Sequence, residues 1–114
     1  MKYALLIYPG RSREGYERLP EDEQRAITGE YLALRQEAGV LGAEQLQPPE
    51  SATTVRVEDG RTLTTDGPFA DTKEILGGLY LLEADNLDRA LELAARMPAS
   101  RMGGAVEVRP LVER

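Results

Sequence analysis

Two short stretches of this chain are apolar at successive positions, and they restrict its possible folds more than any other feature. Both residues 2–8 and residues 79–83 read as β-strands. In the first, Tyr3, Leu5 and Ile7 alternate with Ala4, Leu6 and Tyr8. Side chains of a strand point alternately to its two faces, so these strands are apolar on both faces. They are therefore predicted to be the central strands of a sheet.

The segment after the first strand is predicted to be a polar loop followed by a helix. Residues 9–15 are rich in turn formers and polar side chains, which favours a loop. Pro20 suits the first position of a helix, and Gly39 stands where a left-handed cap ends one. Apolar residues recur at intervals of 4, 3 and 4, which places them on one predicted buried face: Ile27, Tyr31, Leu34 and Ala38.

A second helix is predicted after the second central strand. Asn86 can cap its start at Leu87, and Pro98 is expected to end it. Residues 105–112 then form a final strand. Its Val106 and Val108 fall on one face, and Glu107 and Arg109 on the other. The predicted buried stripe of the helix consists of Leu87, Ala90, Leu91, Ala94 and Met97.

A β-hairpin is predicted between the two halves of the chain. A short strand at residues 40–46 leaves the first helix. Asp59-Gly60 then separates the β-rich runs 53–57 and 61–65, and an Asp-Gly pair in that setting is a strong signal for a two-residue turn. The order β-α-β, hairpin, β-α-β predicts a single α+β domain over residues 1–114, arranged as a ferredoxin-like sandwich with one extra hairpin.

Helices in such a sandwich cover only one face of the sheet. The other face would expose leucine, isoleucine and tyrosine, and large exposed apolar patches usually mark interfaces. We therefore expect a homodimer formed by packing of sheet faces. The alternative is that the extra hairpin folds back over the open face of its own chain.

Composition excludes several classes of chemistry. The chain has no cysteine and no histidine, which excludes thiolate nucleophiles, imidazole bases and zinc sites built from these residues. A net charge of −6 with scattered arginines disfavours nucleic-acid binding. No nucleotide-binding glycine motif predicts a cofactor, and no metal site is predicted. No apolar run is long enough for a membrane span, and no secretory signal is visible, so the cytoplasm is the expected compartment.

Residues 66–74, Asp-Gly-Pro-Phe-Ala-Asp-Thr-Lys-Glu, form the main candidate site. In one interpretation Asp66 satisfies its own backbone in an Asx-turn and Phe69 anchors the core. In the other, Asp66 or Asp71 is an acid or base at a dimer cleft, Phe69 is a ligand-binding residue, and Lys73 attracts a small anionic metabolite. The spacing of these residues does not distinguish between the two interpretations.

Tyr8 and Arg109 are secondary candidates for ligand binding, because strand ends often line clefts. Each also has a structural interpretation. Tyr8 can be a half-buried core residue with a hydrated hydroxyl, and Arg109 can pair with Glu107 or with another neighbouring acid.

The motif Asp66-Gly67-Pro68-Phe69 resembles the YCII-related family, in the branch named for these four residues. The similarity extends over nearly the whole chain, including the opening strand, the hairpin entry at residues 52–56, the continuation to Gly78 and the closing strand. The resemblance implies a dimeric α+β barrel. It also implies an association with bacterial sigma factors, because relatives occur beside them or fused to them.

The resemblance is compatible with two kinds of function. Some YCII-like enzymes use a His-Asp pair, as in a dehydrochlorinase acting on a chlorinated hydroquinone, and a chain without histidine cannot carry that pair. We therefore expect a dimeric small-molecule-binding protein with an accessory or regulatory role. The alternative is a lyase or isomerase that uses Asp66 as general acid or base.

Overall fold

A computed structural model describes residues 1–10, 12–69 and 75–114 of the chain. It confirms a mixed α+β architecture, with an antiparallel sheet and four helices among the described residues. In chain order the elements are β1 (Lys2–Tyr8), α1 (Ser12–Arg18), α2 (Glu21–Leu34), β2 (Val40–Gln45), a 3-10 turn (Pro49–Ser51), β3 (Thr53–Glu58), β4 (Arg61–Asp66), β5 (Gly78–Glu83), α3 (Leu87–Ala95), α4 (Pro98–Arg101) and β6 (Ala105–Pro110).

The main sheet has four strands in the order β2-β5-β1-β6, and all neighbours are antiparallel. The two strands predicted to be central, β1 and β5, are the two inner strands. Leu5 of β1 lies between Tyr80 of β5 and Val108 of β6. The register therefore places apolar rows of β1, β5 and β6 side by side on this face, whereas on the opposite face Glu107 and Arg109 of β6 lie beside Leu6 and Ala4.

One face of the sheet forms the core with the helices. Tyr3, Leu5 and Leu82 are 1%, 0% and 0% exposed, and they pack against residues of α2, α3 and α4. The phenol of Tyr80 crosses this interface and donates a hydrogen bond to the backbone carbonyl of Tyr31, at 2.6 Å. The helix residues that join the core cluster are Leu34, Ala90, Leu93, Ala94 and Ala99, together with Met97 between α3 and α4.

The opposite face of the sheet, called the open face below, has an apolar centre formed by Ala4, Leu6, Leu79 and Leu81. These residues pair directly across β1 and β5, Ala4 with Leu81 and Leu6 with Leu79. The described helices contribute their buried residues to the other side. The smallest dimension of the molecule is 19 Å, which leaves room for the sheet and one layer of helices about 10–12 Å in diameter. None of the helices that the structure describes therefore covers the open face.

The predicted hairpin is confirmed, and it stands apart from the main sheet. Asp59 and Gly60 have φ of 50° and 75°, as a type I′ turn requires. Strands β3 and β4 pair only with each other, and of their residues only Thr54 is even half-buried. If the hairpin folded back over the open face, its side chains would be buried. Nearly all of them are exposed, so the hairpin does not cover that face.

The molecule is more extended than a compact chain of its size. It exposes 8183 Å² of surface, whereas a compact monomer of the same mass exposes about 6,200 Å². Its radius of gyration is 16.0 Å, against about 13 Å for a compact domain of this length. The flat two-layer body and the projecting hairpin account for the difference.

The prediction of a polar loop at residues 9–15 was wrong, because Ser12–Arg18 forms helix α1. Helix α1 is stabilised by its contact with α2. The hydroxyl of Tyr16 lies 3.2 Å from that of Thr28, and the side chain of Gln24 donates to the carbonyl of Leu19 at 3.0 Å. Because the partners lie on another helix, the local pattern of turn formers did not reveal them.

The end of the first predicted helix also differs. Helix α2 stops at Leu34, so Ala38 is outside it and exposed. Gly39 does adopt positive φ, at 91°, but it does not cap the helix. A glycine fits here because the backbone of another segment comes close to it. A Cβ at this position would lie 2.3 Å from the carbonyl oxygen of Glu83, where the chain enters the sheet.

The buried face of α3 is rotated from the predicted one. Leu87 and Leu91 are each 47% exposed, whereas Leu93 is fully buried. The Asn86 cap is confirmed, since its side chain accepts from the N–H of Arg89 at 3.1 Å. Pro98 does not end this helix directly. Helix α3 stops at Ala95, and Pro98 begins the short helix α4.

Candidate functional site

Asp66 ends strand β4 on the more apolar face of the hairpin. It pairs with Thr53, and Val55 and Val57 follow on the same face, because side chains of a strand alternate. Asp66 is exposed. Within residues 1–10, 12–69 and 75–114, its carboxylate makes no hydrogen bond or ion pair. The carboxylate is therefore available to a ligand or to another protein chain.

The turn that follows Asp66 is held by other groups. Gly67 has φ of 100°, and its N–H donates to the carbonyl of Ala52 at 2.7 Å. The hydroxyl of Thr54 donates to the carbonyl of Gly67, also at 2.7 Å. Thr54 thus makes the side-chain hydrogen bond to the turn that, in an Asx-turn, Asp66 would have made.

Phe69 lies on the other side of the hairpin from Asp66 and is 77% exposed, so the expectation that it anchors the core was wrong. The guanidinium carbon of Arg56 lies 5.8 Å from the centre of its ring, within range of a cation–π contact. The candidates Asp71 and Lys73 lie outside the described residues, as do Arg11 and the rest of residues 70–74.

Tyr8 lies at the end of β1 on the open face, where it pairs with Ala105 of β6. It is half-buried, in agreement with its structural interpretation. Together with Ala105, Val106 and Glu107 it lines an open groove of about 410 Å³. The groove presents a phenol and a carboxylate at its polar side.

Arg109 lies further along the same face. It pairs with Ala4, whereas Tyr8 lies four residues later in β1, a separation of about 13 Å along the strand. The guanidinium of Arg109 donates to the carboxylate of Glu107 at 2.7 Å, so the predicted pairing of these two residues is confirmed. Glu107 itself was not predicted as a groove residue, although its place between two inward valines was a signal that it faces the open side.

Two buried tyrosines have perturbed acidity, but they belong to the core. Burial, with a contribution from Tyr31, raises the pKa of Tyr80 to about 12. Burial also raises the pKa of Tyr31, whose hydroxyl accepts from the N–H of Ala99 at 3.0 Å. The Tyr80 phenol joins the sheet to α2, and the Tyr31 phenol joins α2 to α4, both on the side of the sheet away from Tyr8.

A second open groove of about 460 Å³ lies between α1 and α2, lined by Tyr16, Glu21, Gln24, Arg25, Thr28, Gly29 and Leu32. Its two hydroxyls, of Tyr16 and Thr28, are already in contact with each other. Within the described ranges no three acidic side chains are close enough to bind a metal ion together. In the same part of the chain, no helix has the length and apolar character needed to cross a bilayer.

Comparisons with known proteins agree with this architecture. A family model described as the YCII-related domain matches residues 1–114. An uncharacterized protein of Rhizobium meliloti (strain 1021) is 40% identical over 118 residues, which cover 97% of this chain and 92% of that protein. A solved structure of 5-chloro-2-hydroxyhydroquinone dehydrochlorinase from Burkholderia phenoliruptrix AC1100, in complex with 2,5-dihydroxybenzoquinone, is similar over 100% of this chain and 96% of that one, with a TM-score of 0.52 and 16% identity. The likeness to the dehydrochlorinase is one of fold.

Proposed function

The chain belongs to the YCII-related family, and from that premise we propose that it is a homodimeric small-molecule-binding protein with an accessory or regulatory role. Two copies pack their open sheet faces together, and the ligand binds in the cleft at the rim of that interface. The observation that carries the proposal is the apolar centre of the open face, over which no described helix lies. It consists of Ala4, Leu6, Leu79 and Leu81.

The exposed area of the chain supports a dimer. Its surface of 8183 Å² exceeds that of a compact monomer by about 2,000 Å². Stable protein interfaces bury roughly 800 Å² or more on each partner, and permanent dimers bury more. The excess is therefore large enough for a permanent interface.

The topology supports the ferredoxin-like arrangement that underlies a dimeric α+β barrel. Two β-α-β halves place their first strands next to each other in the order β2-β5-β1-β6, and β3 and β4 are an addition between the halves. We assign the chain to the branch named for Asp66-Gly67-Pro68-Phe69, since this motif stands intact at the end of the hairpin.

The groove beside Tyr8 supports a small-molecule ligand. Its volume of about 410 Å³ lies within the usual range for ligand sites, about 300–1,000 Å³. A second sheet packed over the open face would close its outer side. The phenol of Tyr8 and the carboxylate of Glu107 favour a ligand with hydroxyl groups, while Arg109 beyond them favours an acidic group. A small ring with acidic hydroxyls has this chemistry, and 2,5-dihydroxybenzoquinone, present in the dehydrochlorinase complex, is a suitable probe.

The dimer is tested by sedimentation equilibrium of the wild-type chain and of Leu79→Glu. Leu79 is already half-buried in the single chain, so completing its burial contributes only part of the about 1.5–3 kcal/mol of a fully exposed leucine. Burying an unpaired carboxylate in its place costs several kcal/mol more, and the symmetric interface contains two copies of this position. We therefore expect the dissociation constant to rise at least about a hundredfold. The matched control is Leu91→Glu, which places the same charge on the outer side of α3, where the leucine is 47% exposed. A wild-type chain that sediments as a monomer at micromolar concentration would contradict the proposal.

Ligand binding is tested by calorimetric titration with 2,5-dihydroxybenzoquinone. We expect saturable binding to wild type and Leu91→Glu, and loss of binding in Leu79→Glu at concentrations where that variant is monomeric. Tyr8→Phe should weaken binding without changing the mass of the dimer. Equal binding by dimer and monomer would show that the site does not lie at the interface.

A second candidate is a lyase or isomerase that uses Asp66 as acid or base. It is favoured by the carboxylate of Asp66, which has no partner among the described residues, and by the fold shared with a dehydrochlorinase. Chloride release from 5-chloro-2-hydroxyhydroquinone would test it. Asp66→Asn should abolish the release, whereas the control Asp59→Asn removes a charge from the same hairpin and keeps its turn, because Asn-Gly also favours type I′. Absence of chloride release from the wild-type dimer would reject this substrate.

A further inference from the structure

The hairpin β3–β4 has one face that suits burial and one that suits water. Val55 and Val57 share the first face with the threonines opposite them, Thr64 and Thr62, and its only charged residue is Asp66 at the base. The second face carries three charged residues, Arg56, Glu58 and Arg61, with Leu63 as its one large apolar residue. Alternation of this kind is typical of a strand pair with one face buried.

That apolar face is uncovered in the chain by itself. Val55 and Val57 are 60% and 67% exposed, and among the residues that the structure describes β3 and β4 form a two-stranded sheet. A two-stranded hairpin without further packing is marginally stable at best in water. The ladder has six residue pairs, from Thr53 opposite Asp66 to Glu58 opposite Arg61. It therefore needs a surface that residues 1–10, 12–69 and 75–114 of this copy do not supply.

The sizes of the surfaces point to a second copy as that partner. One face of four six-residue strands measures about 20 Å by 19 Å, roughly 400 Å² in plan. This is below the roughly 800 Å² that each partner of a standard interface buries, so the sheet face alone is too small for a stable dimer. The hairpin is about 20 Å long, and it contributes much of the remainder.

We infer that the Val55–Val57 face of the hairpin packs against the second copy, so that each chain extends an arm over its partner. This inference rests on the proposed homodimer and adds a component to its site. Asp66 shares the packed face at the base of the arm, and it is thereby brought to the seam between the two chains.

The absence of cysteine allows a direct test with single thiols. Val57→Cys and Glu58→Cys place a thiol at adjacent positions on opposite faces of the arm, where the native side chains are 67% and 56% exposed. Each variant is treated with N-ethylmaleimide, and the reaction is followed by mass spectrometry at a concentration where sedimentation shows a dimer. We expect the thiol at position 57 to react about tenfold or more slowly than that at position 58, because it reacts only when the arm opens.

The same pair of variants is then made in the Leu79→Glu background. In the monomer the two thiols should react at similar rates. A dimer in which both thiols react equally fast would overturn the packed arm and leave the homodimer intact. A monomeric wild-type chain would overturn the homodimer, and the arm with it. Slow reaction at position 57 in both backgrounds would place the covering surface within one chain and would also overturn the inference.

Discussion

The hydrogen bond from Tyr80 to the Tyr31 carbonyl provides a quantitative test of the fold beneath the open face. Tyr80 is 4% exposed, and its hydroxyl lies 2.6 Å from the carbonyl oxygen. In Tyr80→Phe this bond is lost and the carbonyl loses its side-chain donor. We expect the free energy of unfolding to fall by about 1–2 kcal/mol at pH 8.

The pH dependence of this difference follows from the raised pKa of Tyr80, about 12 in the folded chain, against about 10 in the unfolded chain. Below pH 10 both states keep the proton, so the contribution to stability is fully present. Above pH 10 the unfolded state loses the proton first, and stability falls until the pH passes the folded value. At pH 11 the wild type should have lost about 1.4 kcal/mol through this group, and Tyr80→Phe none of it.

Urea unfolding followed by far-ultraviolet circular dichroism measures both quantities, with both proteins at the same concentration because association shifts the midpoint. The stability gap between wild type and Tyr80→Phe should shrink by about 1.4 kcal/mol from pH 8 to pH 11. If the free energy of unfolding falls equally steeply with urea concentration in both proteins, the two transitions expose similar surface and can be compared. A gap of the same size at both pH values would refute the assignment of the raised pKa to this buried phenol.

Two further substitutions test the backbone. Gly39→Ala places a Cβ 2.3 Å from the carbonyl oxygen of Glu83 at a φ of 91°, so we expect a loss of about 3 kcal/mol or more in urea unfolding. Its control Gly29→Ala, in the interior of α2 with no atom within 4 Å of the new Cβ, should gain about 0.5–1 kcal/mol. Asn86→Ala removes the acceptor for the N–H of Arg89 and should cost about 1 kcal/mol; no loss of stability would mean that water replaces the cap.

The strands and the hairpin turn could be predicted because their signals are local. Leu5 and Leu6 point to opposite faces by the geometry of a strand alone, so an apolar residue at each position demanded a central strand. Asp59 and Gly60 both tolerate positive φ, and their place between two β-rich runs specified the turn. Asn86 likewise acts on a backbone N–H only three residues away.

The helix boundaries and buried faces depended on distant contacts. Leu93 is buried and Leu91 is exposed because packing on the sheet fixes the rotation of α3 about its axis. The spacing of apolar residues alone is also compatible with a buried face that is rotated by one residue. Helix α1 forms where Tyr16 can reach Thr28 of α2. A single chain sequence does not contain the distances that decide such packing.

For the candidate site, the sequence by itself identified the motif at Asp66 and the apolar residues of both faces of β1 and β5. Tertiary structure decided where they lie: Asp66 on an exposed arm, Phe69 beside Arg56 on its other side, and Tyr8 about 13 Å from Arg109 along the strand. The reason is physical. Residue type and alternation determine what a segment can bury, but the surface that buries it is supplied by elements far away in sequence and, for the open face and the arm, by the proposed second copy.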